Sequence, residues 1–279
     1  VTDTTAREIT LKVLIGELPE DVEAVHYGVE VPDVVSYVST GEQTALSKFY
    51  YDLLLGRPVP LAFYTSEVGG VDTMLAISLF LHRDLAVNPK FPALVAAADL
   101  VERLSVQGMA HIDRDLARFL KFLRVYLPPS GLSKREQGSR LQMVMTWIRE
   151  FVMEDKLPNM PVEPEPPRVI DTGTNGFVMA EAARGADLYE GWVELYREGF
   201  LRGVLFSPPV SDRRKVLVAR KSHFLEFDLR QAAEVFNEGE KAMGEPAGWV
   251  MPHGSDWLEG PEGGTLLLVS VIRDVLCRV

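Results

Sequence analysis

The stretch LPNMPVEPEPPR, residues 157–168, carries Pro158, Pro161, Pro164, Pro166 and Pro167. Each proline fixes its own φ, pushes the residue before it out of the helical region and offers no amide, so neither helix nor sheet continues through such a run. The stretch therefore divides the chain. Residues 1–156 are expected to form one α/β domain with a helical end, 157–168 a stiff linker, and 169–279 a smaller mixed α/β domain. A chain of 279 residues is long enough for two such cores.

In the first lobe, EITLKVLIGEL, DVVSYV and PLAFYT are short β-branched or aromatic runs of strand length. Between the last two, EQTALSKFYYDLLLG has helical spacing at Leu46, Phe49, Tyr50, Leu53 and Leu54, and Gly56 closes it. Strand, helix, strand, helix is the alternation of a parallel sheet. VDTMLAISLFLH, PALVAAADLVERL and HIDRDLARFLKFLRVYL continue as helices, the last stopped by Pro128 and Pro129. SKREQGSRLQMVMTWIREFVMED opens with Ser133 and Glu136, a capping box, and places Leu141, Met145, Ile148 and Val152 on one face.

In the second lobe, DLYEGWVELYREGF and DLRQAAEVFNEGEKAMG read as capped helices, RKVLVARKSHFLEF as two strands, and AGWVMP and TLLLVSVI as strand-like. Hydrophobic residues make up 47% and charged residues 25%, which places the chain among globular proteins. A net charge of −11 argues against a broad nucleic-acid surface, because phosphate backbones are gripped by Lys and Arg. No run of 18 apolar residues and no basic leader ahead of an apolar segment occurs, so the expectation is a cytoplasmic protein without a membrane span. Cys277 is the sole cysteine, which rules out an internal disulfide and a thiolate metal cluster.

The stretch FYTSEVGGVDTMLAISLFLHRD runs from strand through a glycine turn into an apolar helix, with Asp72 at the turn. In parallel sheets the turn after a strand is where ligands are usually held, since the following helix presents free amides and a partial positive charge. Gly69 and Gly70 allow close approach of the backbone to something there. Asp72 has two readings: an N-cap that satisfies first-turn amides, or a hard-oxygen ligand to a divalent cation.

The order strand, VGGVDTMLAISLFL, then ALVAAADLVE ending near Asp99, then helices, linker and a smaller mixed lobe, resembles the DHH-type phosphoesterases. In divergent members of that family a motif of the form HxDxDxxLA opens the helix after a sheet strand, and Asp72, Leu75 and Ala76 match its end. The resemblance implies Mn²⁺ or Mg²⁺ held by aspartates, a phosphate ester bound between the lobes, and activation of water against phosphorus. It makes Asp72 and Asp99 metal ligands, with Asp99 as a plain helix-end residue the alternative. Val68 and Gly70 stand where the motif has His and Asp, and no DHH tripeptide occurs. A member of the scaffold that has lost its metal ligands and binds a ligand or protein without catalysis is the second reading.

HIDRD supplies His111, Asp113 and Asp115; a solvated helix start is one account, and Asp113 as an added metal ligand the other. DTG at 171–173 matches the aspartic-protease triplet, which would need a homodimer to complete it, against a simple turn. RRKVLVARKSHF concentrates cations in an acidic protein: a charged strand edge on the bland account, phosphate contacts from Arg220 and Lys221 on the sharp one. Gly263 and Gly264 loosely resemble the family's glycine-rich substrate loop, and His253 is a candidate proton donor in the loop before it. The expected partner is a small phosphorylated molecule or a short oligonucleotide, with a homodimer left open.

Overall fold

The computed structural model describes residues 12–15, 23–28, 35–40, 43–66, 70–104, 106–127, 132–158, 165–221, 227–251 and 256–278. The chain divides into two compact units, Val1–Pro161 and Val162–Val279, and the division falls inside the proline-rich stretch. It is an α/β protein: the first unit has a parallel sheet with helices, and the smaller second unit a mixed sheet.

The first unit runs β1 (Lys12–Ile15), β2 (Ala24–Tyr27), β3 (Ser36–Tyr37), α1 (Ala45–Leu54), β4 (Ala62–Thr65), α2 (Val71–Leu81), a 3₁₀ segment (Arg83–Val87), α3 (Lys90–Leu104), α4 (Val106–Ala110), α5 (Arg114–Tyr126) and α6 (Lys134–Glu154). The sheet order is β1-β4-β2-β3 with every pair parallel. Ile15, Thr65, Tyr27 and Tyr37 lie in register, so all four strands end at one level. Val13, Ile15, Val25, Tyr27, Tyr37 and Phe63 turn toward the helices and join the core.

Local chemistry sets the helix ends. The Thr44 hydroxyl accepts from the Ser47 amide at the start of α1. At the other end Gly56 takes φ +66°, the Gly56 amide donates to Leu53 and the Arg57 amide to Asp52, a two-bond closure that a left-handed residue permits. On α6 the Ser133–Glu136 capping box forms in both directions. Helix α2 is buried on every side from Thr73 to Phe80, packed among α1, α3, α5 and α6, which is why its sequence is apolar all round rather than striped.

The second unit runs β5 (Arg168–Thr172), β6 (Phe177–Glu181), α7 (Leu188–Arg197), β7 (Arg202–Phe206), β8 (Val216–Arg220), α8 (Leu229–Ala242), β9 (Trp257–Glu259) and α9 (Val269–Leu276). Its sheet order is β5-β6-β7-β8-β9; β6 and β7 are parallel across the α7 connection and the other pairs antiparallel. Helices α8 and α9 supply Phe236, Ile272 and Leu276 to a core with Val204, Phe206, Val216 and Val218. Trp192 of α7 is fully buried and its indole donates to the Leu217 carbonyl at 3.1 Å.

Several expectations change. TLLLVSVI is not a strand: from Val269 it is helix α9, whose Ile272 and Leu276 are buried one turn apart. DTG is not a bare turn: Asp171 and Thr172 end β5, with Asp171 paired to Arg273 at 2.6 Å, and β6 follows. In AGWVMP the described residues give an isolated bridge of Val250 to Glu259 rather than a strand. The second strand read in RKVLVARKSHFLEF falls at 222–226, outside the described residues. Among the described residues no helix is long and apolar enough to cross a membrane.

Candidate acidic site at the edge of the parallel sheet

The C-terminal edge of the first sheet gathers three carboxylates from two helices and meets each with a hydroxyl. Tyr27, the last residue of β2, donates to Asp72 Oδ2 at 3.0 Å. Ser39, two residues past β3, donates to Glu102 Oε1 at 2.6 Å and accepts from the Ala45 amide at 3.0 Å. Ser47, in the first turn of α1, donates to Asp99 Oδ1 at 3.2 Å. Asp99 and Glu102 are three residues apart on α3, hence neighbours on one helix face.

Asp72 is not the cap of α2. The N-cap is Gly70, which makes no side-chain bond; Asp72 sits in the first turn, and its carboxylate goes to Tyr27, 45 residues away. The cap reading is therefore replaced by a tertiary one. Gly70 has extended backbone that any residue adopts, but a Cβ there would overlap Asp72 Oδ1 and stand 3.3 Å from its Cγ. What approaches Gly70 closely is the Asp72 carboxylate.

The charges act on one another. Glu102 is an exposed residue, yet the surrounding protein reduces hydration of its carboxyl and raises its pKa; the Ser39 bond opposes this, and the charges of Asp72 and Asp99 add to it. Tyr27 is held well above its ordinary pKa by burial, then by the charge and hydrogen bond of Asp72 and the charge of Glu102, so it remains a donor. Among the described residues the nearest cation is Arg103, 3.8 Å from Asp99 Oδ2; neither Asp72 nor Glu102 has a cationic partner. A cavity of about 580 Å³ opens beside Asp99, lined also by Thr40, Gln43, Ser47, Lys48 and Tyr51.

The arrangement is a site of excess negative charge with one carboxyl that keeps its proton to higher pH than an ordinary glutamate. Among the described residues no three His, Cys, Asp or Glu side chains converge to hold a metal ion. The donors are nonetheless hard oxygens, and Mg²⁺ commonly takes one or two carboxylates and completes its shell with water and substrate phosphate. Asp72 and Asp99 are donors of that kind.

The other predicted residues belong to both units. Asp113 caps α5, accepting from the Asp115 and Leu116 amides, and His111 is exposed in the preceding turn. Arg220 is buried: its guanidinium donates to the Phe227 carbonyl at 2.7 Å and meets Asp256 at 3.3 Å, ties that hold the second unit together. Lys221 lies over the Tyr196 ring at 5.7 Å. Gly264 takes φ +85° in a turn, its amide donating to Pro261 and its carbonyl accepting from Arg213; Gly263 precedes it with open space around it. His253 lies outside the described residues. Sequence reasoning missed Tyr27, Ser39, Ser47 and Glu102. Glu102 had a signal, since it follows Asp99 by one helical turn; the hydroxyls had none.

No protein-family model matches the chain, and no curated protein matches it either.

Proposed function

We propose that the first unit carries a phosphoester hydrolase site on this edge, acting on a small phosphorylated molecule or a short oligonucleotide in a cytoplasmic setting. The observation that carries the reading is the convergence of Asp72 from α2 with Asp99 and Glu102 from one face of α3, each carboxylate held by a hydroxyl, those of Tyr27, Ser47 and Ser39. Asp72 and Asp99 would hold Mg²⁺ or Mn²⁺. Such a cation, when bound, polarises phosphoryl oxygen and lowers the pKa of water. Tyr27 orients Asp72, Ser47 orients Asp99, and the solvent-accessible Glu102 carboxyl supplies a proton to the leaving oxygen.

A second reading, a binding protein on the same scaffold without metal chemistry, is favoured by the hydroxyl already seated on each carboxylate and by the lack of a three-ligand cluster among the described residues. One experiment separates the two. Mn²⁺ is titrated calorimetrically into the chain and into Asp72→Asn, and phosphate release from a phosphodiester and a phosphomonoester is followed in parallel. Saturable Mn²⁺ binding and turnover, both lost in Asp72→Asn with unchanged circular dichroism, support the hydrolase. Absence of Mn²⁺ binding at millimolar concentration removes it in favour of the binding protein.

A further inference from the structure

The second unit has a cavity of its own, independent of the acidic edge. It measures about 410 Å³, within the range that small molecules occupy, and lies between the first turn of α7, the start of β8 and the segment that follows β9. Its apolar surface comes from residues such as Leu188, Val250 and Pro261, and its charges from Lys215, Glu259 and Glu262. Two acidic residues and one lysine therefore line one space.

Glu259 is the fixed member. It is half-buried, its backbone is locked by reciprocal bonds with Val250 at 2.8 and 3.0 Å, and Tyr189 donates its phenol to Oε1. The Tyr189 ring is itself braced against Trp257, with centroids 5.2 Å apart. The Tyr189 pKa is raised by burial and by this bond, so the phenol stays a donor and leaves Oε2 to accept from something else. Lys215 and Glu262 are exposed, with no side-chain partner among the described residues, and are able to close on an occupant.

A site is matched by a ligand of the opposite charge pattern, because complementary charges attract and like charges are rejected. Two carboxylates and one ammonium call for two cationic groups and one anionic group on a short apolar chain. We propose that this cavity binds a free basic amino acid of the lysine, ornithine or arginine class. The ligand carboxylate meets Lys215, the two cationic nitrogens meet Glu259 and Glu262, and the methylene chain lies along Val250 and Pro261.

The test is a calorimetric titration of the full chain with L-lysine, against L-leucine, which lacks the second cation, and cadaverine, which lacks the carboxylate. Saturable one-to-one binding of lysine is expected, about tenfold or more tighter than either control, the effect of one charge-assisted hydrogen bond. Lys215→Ala should weaken lysine about tenfold while leaving cadaverine unchanged or tighter, and Glu259→Gln should weaken both. Lys215 and Glu262 are exposed, so Lys215→Ala and Glu262→Gln test the idea even if Glu259→Gln disturbs the Tyr189 contact. No lysine binding at millimolar concentration, equal binding of leucine, or a Lys215→Ala variant that binds lysine as before would each overturn the assignment.

Discussion

Replacing Gly70 by alanine tests the geometry of the acidic edge most directly. The backbone at Gly70 is extended, φ −136° and ψ 161°, so alanine meets no torsional penalty there. Its new Cβ occupies the place of Asp72 Oδ1, the far end of a short side chain that can rotate away. The cost is therefore the broken contact rather than a shifted backbone. The Tyr27 side, a residue 1% exposed, is left with a buried hydroxyl lacking its charged acceptor. A hydrogen bond to a charged group contributes about 1.5–3 kcal/mol, and loss of glycine at an N-cap adds roughly 0.5 kcal/mol. Against this, alanine narrows the unfolded ensemble by about 0.4–1 kcal/mol. The net expectation is a destabilisation of about 1–3 kcal/mol in urea unfolding followed by circular dichroism.

The diagnostic measurement is a double-mutant cycle with Tyr27→Phe. In that background the contact is already absent, so Gly70→Ala should cost only its cap and entropy effects, and the coupling should exceed about 1 kcal/mol. Coupling within about 0.5 kcal/mol of zero would show that Gly70 does not act through the Tyr27–Asp72 bond. The tertiary account of Asp72 would then be wrong.

Glu102 has a raised pKa, so the protonated form is favoured by folding: this stabilisation is fully present below the unfolded-state pKa and is lost as pH rises through the folded one. Stability of Glu102→Gln relative to the parent should accordingly increase from acidic to neutral pH in urea titrations, and a flat difference would contradict the charge coupling. Arg220→Met removes a buried cation tied to Phe227 and Asp256 and should lower the stability of the second unit by about 2–4 kcal/mol, read by thermal unfolding. A neutral outcome would return Arg220 to the list of ligand contacts. Ser133→Ala deletes one arm of the α6 capping box and should cost about 1 kcal/mol in urea unfolding.

The parts of the fold legible in the sequence are those fixed locally. Ser133 and Glu136, Asp187 and Asp228 cap their helices because a short oxygen-bearing side chain next to a helical run has few better partners. The strands in KVLI and AFYT show as β-branched and aromatic runs. Strand β2, AVHY, carries one β-branched residue and a histidine and shows no such run; it is a strand because its neighbours β3 and β4 pair with it. Helix α9 was masked by valines and isoleucine whose strand preference is overridden by the apolar surface that Ile272 and Leu276 meet. Asp72 follows the same logic at the site. Local rules place an aspartate near a helix start as a cap, whereas a tyrosine from a different strand claims its carboxylate, a contact that no window of sequence contains.

The two readings of the edge differ in one electrostatic quantity. A phosphate approaching three carboxylates is repelled: like charges about 6 Å apart in water oppose one another by roughly 0.7 kcal/mol per pair, and by more where protein displaces solvent. Hydroxyls from Tyr27, Ser39 and Ser47 satisfy the oxygens without cancelling their charge, and Arg103 is the one cation within 4 Å of them among the described residues. Phosphate binding at this edge therefore requires a divalent cation and should vanish with chelator, whereas a neutral or cationic ligand needs none. If a phosphorylated compound binds equally well in excess chelator, as read by calorimetry, the acidic edge is not where phosphate sits. The anion must then be held by other residues, and the hydrolase assignment loses its electrostatic basis.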